Sequence, residues 1–303
     1  MQITRRHFIA ATAAAAIVPA RGWATTFLSI GDIRIDTLSD GNLPLPASFA
    51  LGDIPREQAD PILKKYGITS DQFDRPCNVT LLRDGTNTVL FDVGAGSDFI
   101  PTTGKLMDAF DVLGITPEDV THVVLTHGHP DHLGGLLDDF DDPMFYDAKH
   151  MIGKQEFDYW LDPDTVNTIV AERTTMAVGA KRRLETVESS ITTFDDGDEI
   201  LPGVAAQATY GHTPGHMSFE VRAGSESVLI TGDAVVDHHL AFERPEWHSG
   251  ADQDPDTAVV SRTRLLDRLA TEQMTLVGFH LPGGGIGRTE RTGDGYRFVA
   301  AEG

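Results

Sequence analysis

Apolar residues along this chain fall into two kinds of run: short stretches that read as strands and longer ones with helical spacing. Phe27 to Gly31 and Ile33 to Leu38 predict two strands around a tight Gly31-Asp32 turn. Asn78 to Arg83 and Thr88 to Asp92 predict a hairpin, which ends in the glycine-rich turn Asp92-Val93-Gly94-Ala95-Gly96. Lys105 to Leu113 has helical spacing, with Gly114 placed to cap it. Thr121 to Leu125 predicts a buried strand and Leu133 to Leu137 a short helix. Further strands are predicted at Met144 to Asp147, Ile191 to Phe194, Ala205 to Tyr210, Ser218 to Val221, Ser227 to Thr231, Leu276 to Phe279 and Tyr296 to Val299. Helices are predicted at Lys154 to Leu161, Thr165 to Glu185 and Pro255 to Ala270, the last with Pro255 near its start. Residues 42–76, rich in Pro and Asp, read as a long loop with one short helical stretch around Pro61 to Tyr66. Two halves rich in β and α runs, divided near 187–203, are expected inside one domain.

The strand ending at Leu125 delivers Thr126-His127-Gly128-His129-Pro130-Asp131-His132. The chain has 12 histidines in 303 residues, so three in six positions are hard to attribute to packing. Imidazole and carboxylate are the donors that zinc and its neighbours prefer. At a strand end, i and i+2 side chains share a face, so His127 and His129 can grip one ion. Pro130 breaks the strand and displaces Asp131 and His132 towards a second.

Three later segments repeat one layout, a strand followed by a polar donor on a glycine-rich loop. They are Tyr210-Gly211-His212-Thr213-Pro214-Gly215-His216, Thr231-Gly232-Asp233 and Gly278-Phe279-His280-Leu281-Pro282. Together with the first motif they resemble the metallo-β-lactamase superfamily, whose signature is His-x-His-x-Asp-His followed by a His, an Asp and a His. The resemblance covers about residues 27 to 299. It implies an αββα four-layer sandwich in a single domain, 25–303, with two divalent ions, zinc being the expected metal, at one edge of the two sheets. By that resemblance His127, His129 and His216 hold one ion, Asp131, His132 and His280 hold the other, and Asp233 bridges them. His212 reads as a hydrogen-bonding loop residue rather than a ligand. Asp92, beside its glycine turn, is expected to bond a ligand histidine or loop amides.

Within the superfamily the chain is most similar to the exported methyl parathion hydrolases and to N-acyl homoserine lactonase-like enzymes. The features that carry this are Leu38-Ser39-Asp40-Gly41, Thr126 to His132, Gly211 to His216, His280-Leu281-Pro282 with Gly285-Ile286-Gly287, and Gly295-Tyr296-Arg297-Phe298. The resemblance implies Phe99 and Trp160 as aromatic pocket walls. Loop 42–76 and segment 237–247, with His238, Phe242 and Trp247, complete the expected pocket. Asp237-His238-His239 departs from the small apolar residues of the methyl parathion hydrolases and makes the rim more polar.

The implied reaction is hydrolysis. Two ions ~3.5–4 Å apart share a bridging hydroxide by lowering the pKa of water towards ~7. Asp131 or Asp233 can relay a proton. A lactone or ester of the N-acyl homoserine lactone or aryl ester type is the expected substrate. A methyl parathion-type phosphotriesterase is the alternative, ahead of a thioesterase or a β-lactamase.

Composition narrows the partners. Thr4-Arg5-Arg6-His7-Phe8-Ile9, the apolar run Ala10 to Ala20 and the small-residue site Gly22-Trp23-Ala24 read as a twin-arginine signal over residues 1–24, implying a periplasmic or secreted product. The apolar run is shorter than the ~20 residues a spanning helix needs, so no membrane partner is expected after the signal is removed. The formal charge is −22, and losing Arg5, Arg6 and Arg21 with the signal takes it to −25. That disfavours nucleic acid and leaves a small molecule as partner, with a homodimer possible from the resemblance. The one cysteine, Cys77, excludes an internal disulfide and reads as a packed residue.

Overall fold

The computed structural model describes residues 26–301. The signal expected at 1–24 lies outside them. Among the described residues, fourteen strands form two seven-stranded sheets. The first runs in chain order: β1 (Thr26–Ile30), β2 (Ile33–Pro46), β3 (Gln72–Arg83), β4 (Thr88–Phe91), β5 (His122–Leu125), β6 (Lys149–Gly153) and β7 (Ile191–Phe194). The second holds β8 (Glu199–Leu201), β9 (Val204–Ala208), β10 (Met217–Ala223), β11 (Glu226–Gly232), β12 (Thr275–Gly278), β13 (Ile286–Thr292) and β14 (Gly295–Ala300), also side by side. Strands β4 to β7 are parallel, as are β11 and β12; the other pairs are antiparallel.

The period of two in the strands decides the layers. Val124 points into the core between the sheets with Phe91, Met151, Phe219, Val221 and Ile230. Its neighbours Val123 and Leu125 point outward, against Phe110, Ala177 and Leu184 of the helices Leu106–Leu113 and Thr174–Val187. On the far side Leu229 and Leu276 meet Leu265, Leu266 and Leu269 of the helix Pro255–Glu272. The result is the αββα four-layer sandwich the resemblance implied. The expected break near 187–203 is where the chain leaves one sheet at β7 and enters the other at β8.

The Gly114 cap is met, and the helix that Pro255 opens gains a cap the sequence reading did not name. Gly114 adopts the left-handed conformation that ends its helix, and the Asp254 side chain accepts the Thr257 N–H at the start of Pro255–Glu272. No described helix is long and apolar enough to cross a membrane.

Three expectations are corrected. Residues 42–76 are not a loop. β2 continues to Pro46 and pairs Asn42–Pro46 with Pro76–Gln72, and the helices Ala47–Leu51 and Arg56–Lys65 lie between. Pro44 and Pro46 fit a strand because β1 pairs β2 only as far as Thr37, so their missing N–H groups face no partner strand. The strand placed at Met144 to Asp147 lies instead at Lys149–Gly153, and Phe145 drops as a loop side chain into the outer core. The single helix expected over Thr165 to Glu185 is divided into Thr165–Thr168 and Thr174–Val187. β13 was not foreseen, because Arg288 and Glu290 give it a polar outer face.

Candidate metal centre

Parallel strands β4 and β5 end side by side and hold the first loop. Asp92, at φ 63, turns the chain after β4 and places its carboxylate under the histidine motif. It accepts the Thr126 N–H at 2.8 Å, and its Oδ2 lies 2.8 Å from His132 Nδ1. Thr126 Oγ1 sits between Asp92 and His127 Nδ1, 2.9 Å from the latter. One carboxylate thus orients two histidines. His280 is fixed from β3, where the Pro76 carbonyl lies 2.8 Å from its Nδ1.

Opposite these anchored nitrogens, the free ring nitrogens and carboxylate oxygens converge. His132 Nε2 lies 3.3 Å from Asp233 Oδ1 and 3.6 Å from Asp131 Oδ2. His280 Nε2 lies 3.2 Å from Asp131 Oδ2 and 3.3 Å from Asp233 Oδ2. His127, His132 and Asp233 form one compact ligand group, and His127, His129 and His212 another. Asp233 touches members of both.

The grouping corrects one residue. The histidine that stands with His127 and His129 is His212, not His216. His212 Nε2 lies 2.9 Å from His129 Nδ1 and 3.3 Å from Asp233 Oδ2. Its Nδ1 is held 3.1 Å from Asp252 Oδ1, and Asp252 is itself paired with Arg262. His216 has both nitrogens engaged: Nδ1 is 2.9 Å from Thr209 Oγ1, and Nε2 accepts the Asp233 N–H at 2.9 Å. It therefore supports Asp233 from beneath, and burial depresses its pKa to about 3. The reason lies in the loop. His216 sits directly before β10, at the loop's base, whereas His212 occupies its tip.

Four buried atoms here, His127 Nε2, Asp131 Oδ2, His132 Nε2 and Asp233 Oδ1, have no hydrogen-bond partner. Leaving so many polar atoms unmet in one place is costly unless something else satisfies them. Their chemistry, nitrogen and carboxylate oxygen, fits divalent transition ions. Burial, then the neighbouring imidazoles, hold His127 and His129 neutral, well below the usual histidine range. Burial acts the same way on His132 and His280, but the carboxylates of Asp233 and Asp131 outweigh it. They lift His132 to about 10 and His280 well above its ordinary value. Burial would raise the Asp131 and Asp233 carboxyls; His132 and His280 outweigh it and hold both low. The set is one of neutral and anionic donors once two protons leave. The Cys77 thiol also groups with Asp131 and His280, and burial pushes its pKa up to about 12.

A buried carboxylate outside the motif ties the two histidine loops together. Glu156 Oε1 accepts the Gly128 N–H at 2.8 Å and the Trp160 indole N–H at 2.6 Å. Its Oε2 accepts the Thr213 hydroxyl at 2.7 Å and the Gly215 N–H at 2.9 Å. The sequence carried one faint signal of this, an i, i+4 spacing between Glu156 and Trp160 on one helix face.

The expected pocket residues divide. Phe99 is 37 % exposed and, with Gly128, Pro130 and Met176, lines a cavity of about 440 Å³ on the outer side of the His127–His129 loop. His238 lines a second cavity that reaches His280. Trp160 and Phe242 are corrected: both are completely enclosed and wall neither cavity. Trp160 is spent on Glu156, and Phe242 packs with Leu265 and Leu281. Trp247 is half-buried against Leu63, Phe73 and Leu240.

Residues 73–280 match the model of the metallo-beta-lactamase superfamily. Among curated proteins, the chain is 32% identical over 161 residues to the uncharacterized protein YobT of Bacillus subtilis, covering 52% of this chain and 62% of that one. It is 28% identical over 177 residues to the N-acyl homoserine lactonase AttM of Agrobacterium fabrum, covering 54% and 58%. The chain thus spans about three fifths of the length of the curated relatives it matches. Among solved structures, hydrolase AbOPH of the beta lactamase superfamily superposes with TM-score 0.86 at 30% identity, over 93% of this chain and 99% of that one. AidC, a dizinc quorum-quenching lactonase in complex with its N-hexanoyl-L-homoserine product, superposes with TM-score 0.86 at 23% identity, over 92% and 98%, a likeness of fold.

Proposed function

The chain belongs to the metallo-beta-lactamase superfamily, and on that premise we propose that it is a metal-dependent hydrolase opening a lactone or ester bond, of the N-acyl homoserine lactone or aryl ester type. The observation that carries this reading is the cluster of four buried, unpartnered ligand atoms on His127, Asp131, His132 and Asp233. His127, His129 and His212 would hold one divalent ion, Asp131, His132 and His280 a second, with Asp233 shared between them. Zinc suits the donor set, and a dizinc relative of the same fold supports it. When bound, such a pair supplies an activated water and polarises the scissile carbonyl.

The chain's own groups set the rest. Before metal binds, His132 and His280 hold Asp131 and Asp233 ionised, so both carboxylates would meet the ions as anionic donors. Asp92, Asp252, Thr126 and the Pro76 carbonyl fix the ligand rings from behind, which keeps the constellation rigid while substrate comes and goes. Ligand rings this enclosed also keep bulk water from competing for their free nitrogens. His127, His132 and His280 are each at most 3 % exposed.

Kinetics on N-hexanoyl homoserine lactone, an aryl acetate and a dimethyl aryl phosphotriester test the substrate. The lactone or the aryl ester should show the highest kcat/KM, and a dominant phosphotriester rate rejects the reading in favour of a phosphotriesterase. The twin-arginine stretch Thr4 to Ile9 supports export as part of the same proposal. N-terminal sequencing of protein recovered outside the cytoplasm should then begin at residue 25.

A further inference from the structure

Along the helix-facing side of β3 the period of two runs Phe73, Arg75, Cys77, Val79, all of them buried. Three of these are ordinary core side chains. The fourth is an arginine, 4 % exposed. Its Nε and Nη2 are buried and have no hydrogen-bond partner. The acid facing it, Asp237, stands 3.7 Å from Nη2, close enough to balance the charge and too far to accept a hydrogen bond. Asp237 is already committed. Its Oδ1 accepts the His239 and Ala241 N–H groups at 3.1 and 3.0 Å, and that holds loop 237–241 in place.

Arg75 lines the cavity of about 310 Å³ whose wall also includes Phe73, Asp237, His238, His239 and His280. The cavity therefore joins the metal centre at His280. The link is covalent as well as spatial, since the carbonyl that fixes His280 belongs to Pro76, the residue after Arg75.

We propose that this cavity is a second substrate subsite, in which the Arg75 guanidinium donates to a carbonyl oxygen remote from the bond being cleaved. A planar fork with unmet N–H groups suits an oxygen with two lone pairs. A neutral acceptor is favoured over an anion. Asp237 already balances the arginine, and Asp74 also lines the space, so a carboxylate ligand would meet two acids. In an N-acyl homoserine lactone that acceptor is the side-chain amide, set two bonds from the ring carbonyl carbon's neighbour. The subsite rests on the lactonase reading above and deepens it, making the amide oxygen a specificity handle.

The test compares N-hexanoyl homoserine lactone with an α-alkyl γ-butyrolactone of equal chain length lacking the amide. In wild type the amide substrate should have the lower KM. In Arg75→Met the ratio of its kcat/KM to that of the alkyl lactone should fall at least tenfold, mainly through KM. Arg75→Lys keeps the charge opposite Asp237 but cannot present the fork, and should lower the same ratio. A ratio cancels any loss of folded protein, so it stays readable in a weakened variant. An unchanged ratio in both variants, with both lactones still hydrolysed, overturns the subsite and leaves the lactonase reading intact. Failure of wild type to open either lactone overturns the lactonase reading and the subsite's substrate with it.

Discussion

Replacing Glu156 by Gln keeps its volume and removes its charge, at a position where both histidine loops are anchored. In the native site the carboxylate accepts four hydrogen bonds, from Gly128, Trp160, Thr213 and Gly215. The new amide oxygen can still accept from Gly128 and Trp160. The amide nitrogen is itself a donor. The Thr213 hydroxyl can rotate to accept from it, but the Gly215 N–H cannot and is left unmet. One buried donor without a partner costs ~1–3 kcal/mol. Trading charged for neutral acceptors adds to that, while relief of a buried charge, which pushes the Glu156 carboxyl up, offsets part of it. A net loss of about 2 kcal/mol lowers Tm by roughly 4–8 °C in a chain of this size. Because the two loops carry His129 and His212, metal affinity should fall with it by roughly 10–100-fold, the usual effect of losing a group that orients ligands. Differential scanning calorimetry and competition with a chromophoric chelator read the two effects. A variant that melts with wild type and binds metal equally well refutes the hub.

Other consequences can be checked as directly. A Cβ on Gly134 would lie 1.9 Å from the Ala95 carbonyl oxygen, a backbone atom that cannot move aside cheaply, so Gly134→Ala should destabilise by ~2 kcal/mol or more in urea unfolding. Burial, then the nearby His239, depresses His238 to about 4, so the folded protein keeps this ring neutral where the unfolded chain, at 6.5, takes a proton. Stability should therefore be full above pH 6.5 and fall as pH drops towards 4. The loss is ~1–2 kcal/mol after discounting for the ring's partial exposure, and His238→Gln should flatten this part of the Tm-versus-pH curve. Removing metal with a chelator should lower Tm, and restoring zinc should raise it in a concentration-dependent way; a Tm indifferent to both contradicts a built metal site.

Local patterns in the sequence were enough for much of the fold and most of the site. His127, His129, Asp131 and His132 lie within six residues, and Asp233 and His280 sit on loops that follow strands, so the layout marks them as donors and the family resemblance assigns them to ions. The choice between His212 and His216 was not available in the same way. Both flank Thr213-Pro214-Gly215, and what separates them is three-dimensional: Asp252 behind one ring, Thr209 and the Asp233 amide around the other. Residues 42–76 misled because proline argues against strand, and only the absence of a partner beyond Thr37 makes Pro44 and Pro46 harmless there. That misreading also hid Arg75, whose buried position becomes visible once β3 is known to start at Gln72. Trp160 and Phe242 show the limit of reading pocket walls from aromatic residues. Each satisfies the core first, through a buried carboxylate for one and apolar neighbours for the other.

The proposed centre is two ions held by seven side chains, with His212 among them and His216 outside. Elemental analysis of zinc-loaded protein, after removal of loosely bound metal, tests that claim directly. Wild type should carry two ions per chain, His212→Ala no more than about one, and His216→Gln two in whatever fraction remains folded. Two ions retained in His212→Ala, or a loss confined to His216→Gln, contradicts it.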